Sequence, residues 1–134
     1  MTAISACYGD NERASMGADV EQWCRWVDYR KHASAPGLTR EQVIASTRNG
    51  RSARYFSATD IGATETTAAR IGTCTRTKKP VTAFKVHEFE GAVGASDGEE
   101  SRWVLVESTN GDFHGRPITK RVYLERLKLR MDCP

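Results

Sequence analysis

The apolar positions of the chain change their period part-way along it. In the first stretch Val20, Trp23, Cys24 and Val27 recur at i, i+3, i+4 and i+7, with Trp26 beside them. That is the stripe of an amphipathic helix. Asp19 stands where it can cap this helix, with Gln22 as its capping-box partner. The helix is expected to fade near His32, before the Ala35-Pro36-Gly37 break. A second start signal follows: Thr39 and Gln42 make a capping box, and Leu38 and Val43 fall at the positions of a hydrophobic staple. This helix should run through Ile44 to about Arg48, where Asn49-Gly50 supplies a left-handed stop. Ser57 and Asp60, flanked by Phe56 and Ile61, repeat the same grammar for a short helix that Gly62 ends early. Thr64 then caps a further helix that carries residues 65–71 and ends near Thr77-Lys78-Lys79-Pro80, with Ala68, Ile71 and Thr75 on its inner face.

Past Pro80 the period drops to two. Residues 82–88 alternate with Phe84 and Val86 on one side, and residues 102–107 carry the apolar run Trp103-Val104-Leu105-Val106. Two strands joined by a Gly-rich, acidic loop over 90–100 predict a β-hairpin. Asn110-Gly111 and Arg116-Pro117 mark turns. Residues 119–131 fit a helix through Leu124, Leu127 and Met131 or a strand through Leu127, Leu129 and Met131, and are taken as a helix. The polar residues 1–18 are expected to form a flexible arm, and residues 19–134 a single domain.

Composition adds exclusions. No apolar run approaches the roughly 18–20 residues that span a bilayer, and residues 1–8 lack the basic and apolar parts of a secretory leader. A cytoplasmic location and no membrane contact are therefore expected. Cys7, Cys24, Cys74 and Cys133 are widely spaced, whereas a structural zinc site needs two close ligand pairs. They read as small buried hydrophobes in a reducing compartment, with no metal and no other cofactor.

Charge changes the picture more. The formal net charge of +3 divides into −1 over residues 1–37, +5 over 38–80, −5 over 81–115 and +4 over 116–134. The basic block at 38–80 is the natural face for a polyanion. Within it, Thr64, Glu65, Thr66, Thr67, Ala68, Ala69 and Arg70 follow a capped helix and a tight turn. Residues 56–71 in this order resemble the core of a winged helix-turn-helix, and the likeness spans about 39–108.

The resemblance implies an α+β fold: a three-helix core plus a β-hairpin, with an extra N-terminal helix and a C-terminal helix. It also implies a sequence-specific regulator of transcription that binds double-stranded DNA, of the small bacterial or phage type, working as a homodimer. Thr66, Thr67 and Arg70 would contact bases. Thr64, Arg48, Arg51, Arg54, Arg76, Lys78 and Lys79 would hold phosphates. The acids Asp97, Glu99 and Glu100 suit a protein better than DNA. The alternative is thus a protein-binding module, such as a modulator of RNA polymerase or of a host defence complex, docking through the loop 97–100. No phosphate loop, nucleophile elbow or zinc-protease helix is present, so the chain reads as no enzyme. Asp112, His114 and Arg116 form a small polar cluster in an expected turn.

Overall fold

Sheets, rather than a three-helix core, organise the protein. The computed structural model describes residues 23–28, 30–34, 36–76, 83–109 and 111–127. Strands β1 (Trp23–Trp26), β3 (Thr73–Arg76), β4 (Ala83–Glu88), β7 (Trp103–Thr109) and β8 (Gly111–Ile118) form one sheet in the order β1-β8-β7-β4-β3. Its pairings are antiparallel except that of β1 on β8, which is parallel. Strands β2 (Arg54–Tyr55), β5 (Gly94–Ser96) and β6 (Glu99–Ser101) form a second, antiparallel sheet in the order β2-β5-β6. The helices are α1 (Arg40–Ser46), α2 (Ile61–Ile71) and α3 (Lys120–Val122), the last running on as a π-helical turn over Tyr123–Leu127. The mixed α+β character holds, but the winged helix-turn-helix does not: the described residues are mostly sheet.

The core lies on both faces of the larger sheet. On one face Val104, Val106 and Phe113 pack with Ile61, Ala68 and Ala69 of α2, together with Trp23 and Tyr55. The alanines leave room for the helix to lie close on the strands. On the other face Val86, Leu105 and Ile118 meet Phe84, Trp103, Val122 and Tyr123, with the Trp103 and Tyr123 rings stacked 4.4 Å apart. Strand β7 is covered on both sides, which is why Val104-Leu105-Val106 reads as an unbroken apolar run. Lys85 is buried among these groups, and its Nζ donates to the Ala69 carbonyl at 2.5 Å. That carbonyl lies in the last turn of α2, where the helix dipole favours a cation.

Several elements behave as their local signals predict. Thr39 caps α1 through a reciprocal box with Gln42, and Asn49 and Gly50 both take positive φ just beyond it. Strands β4 and β7 pair antiparallel.

Others differ. The expected helix over Trp23 and Trp26 is strand β1, because parallel pairing on Gly111–Phe113 and the Trp23–Phe113 ring contact, at 6.0 Å, outweigh a local helical period. The start of that expected helix and the arm at 1–18 lie outside the described residues. Gly62 does not end a helix, and α2 runs through it with Thr64 in its interior. Gly62 instead makes room for an indole: a Cβ there would stand 3.1–3.3 Å from three ring carbons of Trp26. The Ser57 side chain makes no capping bond. Ile71 is exposed and Thr75 belongs to β3, so the inner face of α2 is Ile61, Glu65, Ala68 and Ala69.

The acidic loop contains the β5–β6 hairpin, turned at Asp97-Gly98 with positive φ at both residues, as a two-residue type I′ turn requires. Arg116-Pro117 lies within β8. The proline sits beyond the end of β1, where β8 has a strand neighbour on one side only. Cys24 is disulfide-bonded, which corrects the reading of reduced thiols for that residue. No helix among the described residues is long and apolar enough to cross a membrane.

Candidate functional site

The end of β1 opens a site. Its pairing with β8 stops at Phe113, so the next part of β8 lacks a strand on that side. Glu65 of α2, only 2% exposed, fills the gap from below. Its carboxylate accepts from Trp26 Nε1 at 2.8 Å, from the Tyr55 hydroxyl at 2.7 Å and from the backbone N–H of Gly115. Burial pushes this carboxyl above its usual range, and the three donors oppose that shift. Burial, then the charge of Glu65, holds the Tyr55 hydroxyl well above the usual phenol range, so it stays a donor.

Over this clasp lies a cleft of about 390 Å³ lined by Lys31, His32, Arg51, Ser52, Ala53, Ser96, Glu107, His114, Gly115 and Arg116. Three cations and two imidazoles face a single carboxylate. His114 and Arg116 share a face of β8 by its period of two, and Glu107 on β7 is opposite His114 in register. Glu107 Oε1 is 3.6 Å from His114 Nε2 and 3.9 Å from an Arg116 guanidinium nitrogen.

His32 enters on the 3₁₀ turn Arg30–His32 and is 7% exposed. Its Nδ1 lies 2.8 Å from the Ala53 carbonyl oxygen. A carbonyl only accepts, so Nδ1 carries the proton, and in the neutral ring the lone pair is on Nε2. Burial lowers its pKa; the bond to Ala53 opposes this, and the charges of Arg116, Lys31 and Arg54 lower it further. The ring is therefore neutral at neutral pH. Arg54 donates to the Lys31 carbonyl, which ties the 3₁₀ turn to β2.

The residues expected to hold DNA do not converge here. Arg51 lines the cleft, and Arg54 stands behind it bonded to backbone. Arg48 lies across the Asp97-Gly98 turn, where a Gly98 Cβ would be 2.8 Å from its Cγ. Arg70 is exposed on α2, and Thr64, Thr66 and Thr67 are half-buried along it. Arg76 falls in β3, while Lys78 and Lys79 lie outside the described residues. The cluster of Asp112, His114 and Arg116 is on a strand, and Asp112 is turned to Arg25, which grips it with two bonds of 3.0 and 2.7 Å. Lys31, His32, Ser52, Ser96 and Glu107 carry no motif in the sequence.

A second depression, about 440 Å³, is walled by Glu88, Glu90, Glu99, Glu100, Arg102 and Lys120 among others. Two of its acids already have cations: Arg102 on Glu88 at 2.7 Å and Arg40 on Glu100 at 3.1 Å. The first cleft, with its cation excess, is the stronger candidate. Comparison with known proteins finds no matching family model, curated protein or solved structure.

Proposed function

We propose that the protein binds a nucleic-acid strand through its phosphates, in the cleft between β8 and the segments 31–32 and 51–53. The observation that carries the reading is the charge of the lining: Lys31, Arg51 and Arg116 against Glu107 alone, with two imidazoles and the hydroxyls of Ser52 and Ser96 as further hydrogen-bonding groups. Arginine forks and hydroxyls are the usual donors to phosphate oxygens. At about 390 Å³ the cleft falls within the range of roughly 300–1,000 Å³ that encloses a small ligand. That suits one nucleotide of a single strand better than the broad outer surface of a duplex. Base reading by Thr66, Thr67 and Arg70 drew on a helix order that the sheets replace, so the nucleic-acid reading now rests on the cleft. In the alternative, the loop 97–100 docks a protein partner; there Asp97 pairs with Arg121 and Glu100 with Arg40 at the surface.

Fluorescence anisotropy with labelled single-stranded and duplex oligonucleotides at two salt concentrations tests this. The single strand is expected to bind, to weaken as salt rises, and to lose about tenfold with the double variant R51A/R116A, as the loss of two phosphate contacts requires. No binding at low salt, or the same affinity in the double variant, would overturn the proposal.

A further inference from the structure

We infer that the cleft takes the end of the strand, holding a terminal phosphomonoester rather than the phosphodiesters between nucleotides. The inference rests on the reading of the cleft as a phosphate site and names which phosphate that same site selects.

Charge is the first reason. Three cations, Lys31, Arg51 and Arg116, less the one carboxylate of Glu107, leave the lining with an excess of two positive charges. Arg54 behind the cleft and Glu65 beneath it are not part of the lining, and both spend their polar atoms on the protein itself. An internal phosphodiester carries one negative charge. A phosphomonoester carries about 1.5 to 2 near neutral pH. The end of a strand therefore matches the excess, whereas a single internal linkage leaves one cation over.

The donors lead to the same ligand. Arg116 Nη1 is 3.9 Å from Glu107 Oε1, too far for a hydrogen bond, so the pair leaves the guanidinium fork its N–H groups. Lys31 and Arg51 have no acidic partner among the described residues, and the hydroxyls of Ser52 and Ser96 have no acceptor among them. An ammonium, two guanidinium forks and two hydroxyls thus line one cleft, brought there by the 3₁₀ turn, the segment leading into β2, β5 and β8. A monoester offers them three unbridged oxygens, one more than a diester. Two neighbouring diesters would also supply two charges, but they bring two nucleotides with them. A cleft of about 390 Å³ stands near the lower end of the range for a small ligand, and a strand terminus enters it alone.

The experiment uses the full chain and one single-stranded oligonucleotide, dye-labelled at an internal base. It is made with hydroxyls at both ends, with a 5′-phosphate, with a 3′-phosphate, and with the preferred phosphate capped as its methyl ester. Anisotropy at fixed salt gives the affinity of each form. One phosphorylated end is expected to bind about tenfold or more tighter than the hydroxyl-ended strand, the worth of one charged hydrogen bond. The methyl ester, left with one charge and two unbridged oxygens, should lose most of that gain. With its two phosphate contacts removed, R51A/R116A should bind every form weakly and bring the preference below about threefold. K31A should reduce the preference as well. All three side chains belong to exposed residues, and circular dichroism checks that the variants fold. Equal binding of all forms, sensitive to salt and lost in R51A/R116A, overturns this inference and leaves the strand-binding cleft standing. A preference for a phosphorylated end that folded R51A/R116A and K31A keep in full places that end elsewhere and also overturns it. Failure of every form to bind overturns both readings.

Discussion

Two oxygens of Glu65 hold three parts of the fold together: Trp26 at the end of β1, Tyr55 on β2 and Gly115 on β8. Replacing Glu65 by Ala strands these buried donors, and each unsatisfied group costs about 1–3 kcal/mol. E65A should therefore lose about 2–4 kcal/mol in urea unfolding followed by tryptophan fluorescence. E65Q should lose clearly less, because an amide oxygen still accepts from Trp26 and the amide nitrogen can donate to the Tyr55 oxygen. Equal losses in the two variants would show that filled space, not hydrogen bonding, is what Glu65 supplies. Glu65 and His32 also make stability depend on pH, with opposite signs. The carboxyl of Glu65 is raised by burial, so the native state holds its proton more readily and this contribution fades as pH rises through the folded pKa. His32 is lowered by burial, so the native state resists the proton and stability is lost as pH falls from the usual histidine value of about 6.5. Between about pH 7 and pH 5 the parent should lose stability that H32N retains, since Asn does not titrate. Parallel curves for the two proteins would mean that His32 is not the group responsible.

At the scale of elements, Gly94 of β5 packs closely against Pro117 of β8, in the other sheet. A Cβ on it would stand 2.8 Å from Cγ of Pro117 on β8, and nearer still to the Arg54 carbonyl of β2. Neither is a flexible side-chain tip. G94A should cost about 1–3 kcal/mol, the range for overpacking. Gly91 has open space around it, and G91A should stay within about 0.5 kcal/mol. Thermal unfolding of both variants checks this, and matching midpoints would refute the close approach. The elements legible in the sequence are those whose cause is local: the Thr39–Gln42 box, the Asn49-Gly50 stop and the alternation of β4. Asp97-Gly98 was equally local, and its turn signal was hidden by reading the surrounding acids as a loop. Strand β1 was not legible, because its partner lies at Gly111–Phe113 and four residues cannot declare it. Gly62 was misread for a similar reason: its lack of a side chain serves Trp26, a residue distant in sequence.

Over the whole molecule, the cleft draws on every charge block of the chain. Lys31 and His32 come from the mildly acidic first block, Arg51 from the basic second, Glu107 and His114 from the acidic third, and Arg116 from the basic last. Division of charge along the sequence points to a polyanion but not to this place, since folding gathers single residues from each block. The parallel seat of β1 on β8 has a consequence in time as well. Strand β8, the last of the described strands to be made, gives β1 its partner, Glu65 its Gly115 donor and the cleft its His114 and Arg116. Pairings so far apart in sequence also form slowly. A chain still emerging from the ribosome therefore has no assembled cleft until translation has passed Ile118.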